Sequence, residues 1–152
     1  MGPRSWQGGE APGRADRSRG VRAMFEQLDY VYMPSRDVAA DVAYFRDVLG
    51  ARLIFAIDGM GTRVAMLALT EEPPRLLLAG HLEGNVPVLL YRVAGLEAAT
   101  AELRARGWTD GHAIEIPQGP VRSFEAPGGQ RIGIYERTRP QVEASFEGRR
   151  DF

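Results

Sequence analysis

The chain has 152 residues, of which 44% are apolar and 26% charged, with a formal net charge of −1. That suits one soluble globular domain with its own core, and it gives no electrostatic case for nucleic acid or a membrane surface as partner. No apolar run approaches the roughly 18 residues that cross a bilayer. Cysteine is absent and all 19 basic residues are arginine, which excludes disulfides, thiolate chemistry, Cys-ligated zinc, Schiff-base lysines and Ser–Lys dyads.

Residues 1–23 carry five glycines, five arginines and almost no aliphatic side chains. Such a segment cannot bury enough apolar surface to offset its ordering entropy, so a disordered extension is expected, upstream of a candidate start at Met24. Its basic residues precede no apolar stretch, so it does not read as a secretory signal, and a cytoplasmic location is expected. A single domain is expected over 24–138.

Leu28–Met33 reads as a strand, broken at Pro34 and Ser35. Asp37 suits a helix N-cap, and Val38, Val42, Phe45, Val48 and Leu49 recur at helical spacing before Gly50 stops the helix. Strands follow at Arg52–Ile57 and Arg63–Leu69, joined through Gly59–Gly61. A third, Arg75–Ala79, comes after Pro73–Pro74. The order β-α-β-β-β then repeats: Val86–Val93, a shorter helix marked by Leu96, Ala99 and Leu103 and ended by Gly107, then Ala113–Ile116, Val121–Glu125 and Arg131–Glu136. Tyr30 and Val88 stand 58 positions apart, and Gly50 and Gly107 stand 57 apart. One unit used twice, over about 27–80 and 86–137, is the strongest organisational signal. In the tail from 139 to 152, Val142 and Phe146 at i, i+4 allow either a short docked helix or a frayed end.

Leu28–Leu53, with its acidic cap and its YF-x-D-V-L-G helix end, resembles the opening of vicinal oxygen chelate proteins. That superfamily holds glyoxalase I, bleomycin- and fosfomycin-resistance proteins and extradiol dioxygenases. The stretch from Val88 to Gly107 is similar to the opening of the second module, and Phe124–Glu136 resembles its closing turn and strand. The resemblance covers about 25–137. It implies an α+β fold of two tandem βαβββ modules, with a curved mixed sheet around a concave cavity, and a homodimer. In metal-binding relatives the ligands fall at four positions, occupied here by Tyr30, about Leu77, Val88 and Gly133. A phenol, two aliphatic chains and a glycine do not suit a divalent cation, which needs carboxylate or imidazole donors. No metal and no cofactor are therefore expected.

Alternate strand residues share a face. With Tyr30 facing the cavity, Leu28, Tyr32, Arg75, Leu77, Val88, Leu90, Arg92, Arg131, Gly133 and Tyr135 do too, while Val31, Met33, Leu89, Tyr91, Val93, Ile132 and Ile134 pack behind. Of these, Tyr30, Tyr32, Arg75, Leu77, Val88, Leu90, Arg92, Arg131 and Tyr135 are the candidate ligand-binding residues, with Gly133 opening space among them. The three arginines can pair with a ligand carboxylate or phosphate, or with Glu71, Glu125 or Glu136. The leading expectation is a metal-independent protein that binds a small, partly apolar or aromatic molecule carrying a polar or anionic group. A metal-independent isomerase or lyase, using His81 or His112, is the alternative. A ligand-free interaction module is a third reading, which a cavity filled by Tyr30, Tyr32 and Phe55 would favour.

Overall fold

The structure, a computed structural model, describes residues 24–109 and 111–152. The extension 1–23 lies outside them. Eight strands and three helices run in the order β1 (Phe25–Pro34), α1 (Val38–Asp47), β2 (Arg52–Gly59), β3 (Thr62–Ala68), β4 (Arg75–Ala79), β5 (Val88–Val93), α2 (Leu96–Ala105), β6 (His112–Ile116), β7 (Gly119–Glu125), β8 (Arg131–Glu136) and α3 (Val142–Phe146). None of the described helices is long and apolar enough to cross a membrane.

All strands join one curled mixed sheet, ordered β2-β3-β4-β1-β5-β8-β7-β6. Within the modules β1 pairs parallel with β4, and β5 with β8. The modules meet where β1 and β5 run antiparallel. There Tyr30 pairs with Leu90 and Tyr32 with Val88. Exchanging residues 58 apart converts one pair into the other, so the spacing read from the sequence is the internal twofold of the sheet.

Asp37 caps α1 as expected, its carboxylate accepting from the Ala40 N–H at 3.1 Å. Val38 and Val42 then bury against Leu53, Ala65, Leu67 and Leu78 on the convex side of the sheet. Each such burial contributes about 1.5–3 kcal/mol. Val48 and Leu49 differ from expectation, being 65% and 46% exposed. Both their N–H groups bond back to the Tyr44 carbonyl as the helix unwinds towards Gly50, whose φ is +74°. The unwinding rotates them off the helix's apolar face. In the second module Ala99, Leu96 and Leu103 of α2 cover Val93 and Ile134. Gly95 has no capping side chain, and the Glu136 carboxylate on β8 instead accepts the Leu96 N–H at 2.8 Å.

The strand β1 is longer than its apolar run suggests. It begins at Phe25, whose ring stacks on Tyr91 at 5.3 Å. Register shifts between Phe25 and Gln27 and between Leu28 and Tyr30 mark bulges. The second places Asp29 and Tyr30 together towards the concave side, because a bulge breaks strict alternation.

The tail forms α3 and then straps the sheet edge. Gly148 N–H donates to the Ile54 carbonyl, Ala56 N–H to the Arg149 carbonyl, and Asp151 N–H to the Ala56 carbonyl, at 2.7–2.9 Å. The Arg150 guanidinium reaches the carbonyls of Leu53 and Ile54 at 2.7 and 3.0 Å. Phe146 packs on Phe55 on the concave side, with ring centroids 5.7 Å apart. Phe152 joins the convex cluster beneath α1. The tail thus wraps β2 from one face to the other and closes an edge that would otherwise expose unpaired backbone groups.

Candidate functional site

The concave face is divided. Over the first module Tyr30, Phe55, Met66 and Leu77 interlock with Leu90, Val121, Tyr135 and the tail's Phe146. Over the second module no described segment covers the sheet, and a cleft of about 1030 Å³ lies above it. The cleft floor is Val88 and Leu90 from β5, Val121 from β7, and Ile114 and Ile116 from β6. Tyr32 bounds it on the first-module side, and loop 81–86 with Trp108, Thr109, Gly111 and His112 forms its rim.

The inward-facing parity expected from sequence holds for the central strands except at Leu28, which the bulge at Asp29 pairs with the backward-packing Tyr91, and only part of the candidate set reaches the cleft. Tyr32, Val88 and Arg131 line it, and Leu90 lies at its floor while 2% exposed and packed with the filled half. Tyr30, Leu77 and Tyr135 point the same way yet are sealed into the core, with Tyr30 3% and Tyr135 0% exposed. Arg75 turns to its own preceding loop and donates to the carbonyls of Thr70 and Glu71 at 2.8 Å. Arg92 lies beside Glu26 at 3.6 Å and Asp29 at 3.8 Å. None of the three arginines pairs with Glu71, Glu125 or Glu136 through a carboxylate, because nearer carbonyls and β1 acids take them. The space expected at Gly133 is filled: a Cβ there would meet Leu90 Cδ1 at 2.7 Å.

That packing also tests the four positions where relatives hold a metal. Tyr30 and Leu77 are inside the core, Val88 and Gly133 offer no side-chain donor, and the Leu90 methyl would have to move aside for any side chain at 133. These residues do not fit a divalent ion. Among the described residues no group of three or more His, Cys, Asp or Glu converges to hold one elsewhere.

Polar groups in the cleft are few and placed. The Arg131 Nη1 donates to the carbonyls of Glu83 at 2.7 Å and Val86 at 2.9 Å. Its Nε and Nη2 have no partner among the described residues. The guanidinium is therefore immobilised while part of its fork stays uncommitted. The Trp108 indole N–H is buried without an acceptor among the described residues, which is costly unless an oxygen is supplied. His81 and His112 both line the cleft with Ser123, Glu83 and Glu125. The His81 Nδ1 stands 3.3 Å from Thr62 Oγ1. Burial raises the pKa of the Tyr32 phenol to about 12, so it serves as a hydroxyl and not as a phenolate.

Sequence reasoning missed Trp108, Ile114 and the 82–86 part of the rim, which lie in loops or on an edge strand where periodicity carries no orientation. It also missed Asp29, whose carboxylate accepts from the Tyr135 hydroxyl and from Gln27 Nε2. The one signal was an acid inside an otherwise apolar strand.

A two-module curled sheet of this strand order defines a class of fold. The chain belongs to the Glyoxalase/Bleomycin resistance protein/Dioxygenase superfamily, whose family model matches residues 27–134. No curated protein matches the sequence. Among solved structures, methylmalonyl-CoA epimerase from Mycobacterium tuberculosis is similar at a TM-score of 0.65 and 21% identity, covering 82% of this chain and 98% of that one. The Streptomyces coelicolor methylmalonyl-CoA epimerase in complex with 2-nitronate-propionyl-CoA gives 0.60 and 16%, over 75% and 99%. A catechol 2,3-dioxygenase gives 0.60 and 19%, over 82% of this chain and 45% of that one. At these identities the likeness is one of fold.

Proposed function

We propose that the chain is a metal-independent small-molecule-binding protein, whose ligand lies in the second-module cleft with an apolar or aromatic body and a carboxylate or similar anionic group. One observation carries this reading: Arg131, clamped by two backbone carbonyls, keeps part of its fork free beside an apolar floor. An arginine fixed in advance loses little further entropy when it pairs with a planar anion. Mostly apolar clefts with a few placed polar groups are the usual form of small-ligand sites.

A thermal-shift panel of aromatic and aliphatic carboxylates, run beside their methyl esters and with chelator present, tests it. Carboxylates should raise the midpoint and esters should not. Arg131→Lys, which keeps the charge but loses the fork, should weaken the shift about tenfold in ligand concentration. No stabilisation by any acid, or equal stabilisation by acid and ester, contradicts the proposal.

A second reading rests on the pair of histidines that line the same cleft. Imidazole is the side chain best suited to move protons near neutral pH. A metal-independent isomerase or lyase would use one of them on a small oxygenated substrate. The solved neighbours named as methylmalonyl-CoA epimerases make proton transfer a reasonable chemistry to assay. Turnover that survives both His81→Ala and His112→Ala would remove this reading.

A further inference from the structure

The acidic group on the tail is not used by the cleft, and its setting is unusual. Glu143 sits on α3, one turn before Phe146, and its Oε1 is buried without a hydrogen-bond partner among the described residues. The titratable and charged groups around it come from every packed element. Asp29 on β1 is hydrogen-bonded by Tyr135 on β8 and lies 3.8 Å from Arg92 on β5. Glu147 follows α3 on the same segment, and Arg137 lies beyond β8 near Tyr135. Asp29 already has its own donors in Gln27, Tyr135 and Arg92. Glu143 has none, so seating the tail brings a second acid to an acid without bringing it a cation.

We propose that residues 142–152 are a displaceable plug over the first-module half of the concave sheet, and that Glu143 is its release switch. The plug seats while Glu143 carries a proton and loosens when it ionises. A protonated carboxyl can enter a buried site beside Asp29 at modest cost. A carboxylate there is desolvated and repelled. Burial, then the charges of Asp29 and Glu147, push the Glu143 carboxyl above its ordinary value. A group whose pKa is raised on seating favours the seated state fully below its free value, and that contribution is lost as pH climbs through the seated value. Asp151 acts in the opposite sense. The Arg149 guanidinium, then the Asp58 N–H, hold it below its usual range. Its contribution is therefore lost as pH falls through that lowered value, on the acid side of the range in which the raised Glu143 titrates. Release would uncover Phe55, Tyr30, Met66 and the Asp29–Tyr135 pair, joining them to the open cleft across Tyr32.

Amide hydrogen exchange on the full chain without ligand, corrected for intrinsic rates, tests the switch. Reporters are the Ala56 and Asp151 amides, which bond across the strap, and the Asp58 amide, which donates to the Asp151 carboxylate. Their protection should fall severalfold as pH climbs from the ordinary carboxyl range into mild alkali, the direction set by the raised Glu143 pKa. Leu90 and Tyr91 amides in the sheet centre should hold steady. In Glu143→Gln the strap amides should be as protected at the higher pH as at the lower. Three results would overturn the plug: strap protection independent of pH in the natural chain, an equal loss at the sheet centre, or the same slope in Glu143→Gln. The first two need no variant, so a Glu143→Gln protein that fails to fold leaves the test intact. No ligand is involved, so failure here does not touch the reading of the second-module cleft.

Discussion

The two halves of the concave sheet descend from one repeated unit and do opposite things. Over the first module the inward positions of the sheet meet Phe55, Met66 and the tail's Phe146, and the face is filled. Over the second no segment among the described residues covers the equivalent face, which remains a cleft of about 1030 Å³. A repeated supersecondary unit fixes where side chains point, and the segment laid over it decides whether they stabilise or bind. Of the three residues expected to fill a ligand-free module, Tyr30 and Phe55 lie inside the filled half, while Tyr32 borders the cleft in which the ligand is proposed to sit.

Substitutions that treat the halves alike should therefore have unlike outcomes. Phe55→Ala removes a buried ring from the filled half and should cost about 3–5 kcal/mol in denaturant unfolding. Val88→Ala, at the cleft floor, should cost about 1 kcal/mol or less, since the side chain borders open space, but should weaken ligand binding. Equal losses of stability would break the comparison. Tyr135→Phe is expected next. It deletes the hydroxyl that donates to the buried Asp29 and should destabilise by about 1–3 kcal/mol in the same assay.

A smaller effect is expected in alkali. Burial raises Tyr32 to about 12, and burial together with the Asp29 hydrogen bond raises Tyr135 further. Both contribute stability that is complete below the ordinary phenol value and is lost as pH rises through the raised ones. Ultraviolet titration should show Tyr32 and Tyr135 among the tyrosines that ionise only with unfolding. Tyr32→Phe should remove one of them with little change in midpoint at neutral pH.

Much of this was legible because strand periodicity and the 58-residue offset are local properties of the sequence. They were enough to place Tyr32, Val88 and Leu90 on one face, and to put Val93 and Ile134 behind it. The bulge at Asp29 was not legible, since a single extra residue leaves the apolar pattern of Leu28–Met33 unchanged. Nor was the strap. Ala56 and Arg149 are bonded across 93 residues of sequence, and nothing in either segment announces the other. Arg75 and Arg131 open equivalent strands and look alike, yet one closes a loop while the other stands in a cleft. That difference arises from which carbonyls the neighbouring loops present. The filling of the Gly133 space by Leu90 is likewise a packing outcome that spacing alone does not contain.

The central claim, that the two halves are a core and a site, is tested most directly by mapping a bound carboxylate. Backbone amide shifts recorded during titration with trans-cinnamate should move at Val88, Leu90, Val121, Ser123 and His112, and stay fixed at Ile54, Phe55 and Met66. Shifts concentrated on Phe55 and Met66, with Val88 and Val121 silent, would show that the ligand enters the half described here as filled and would contradict the account.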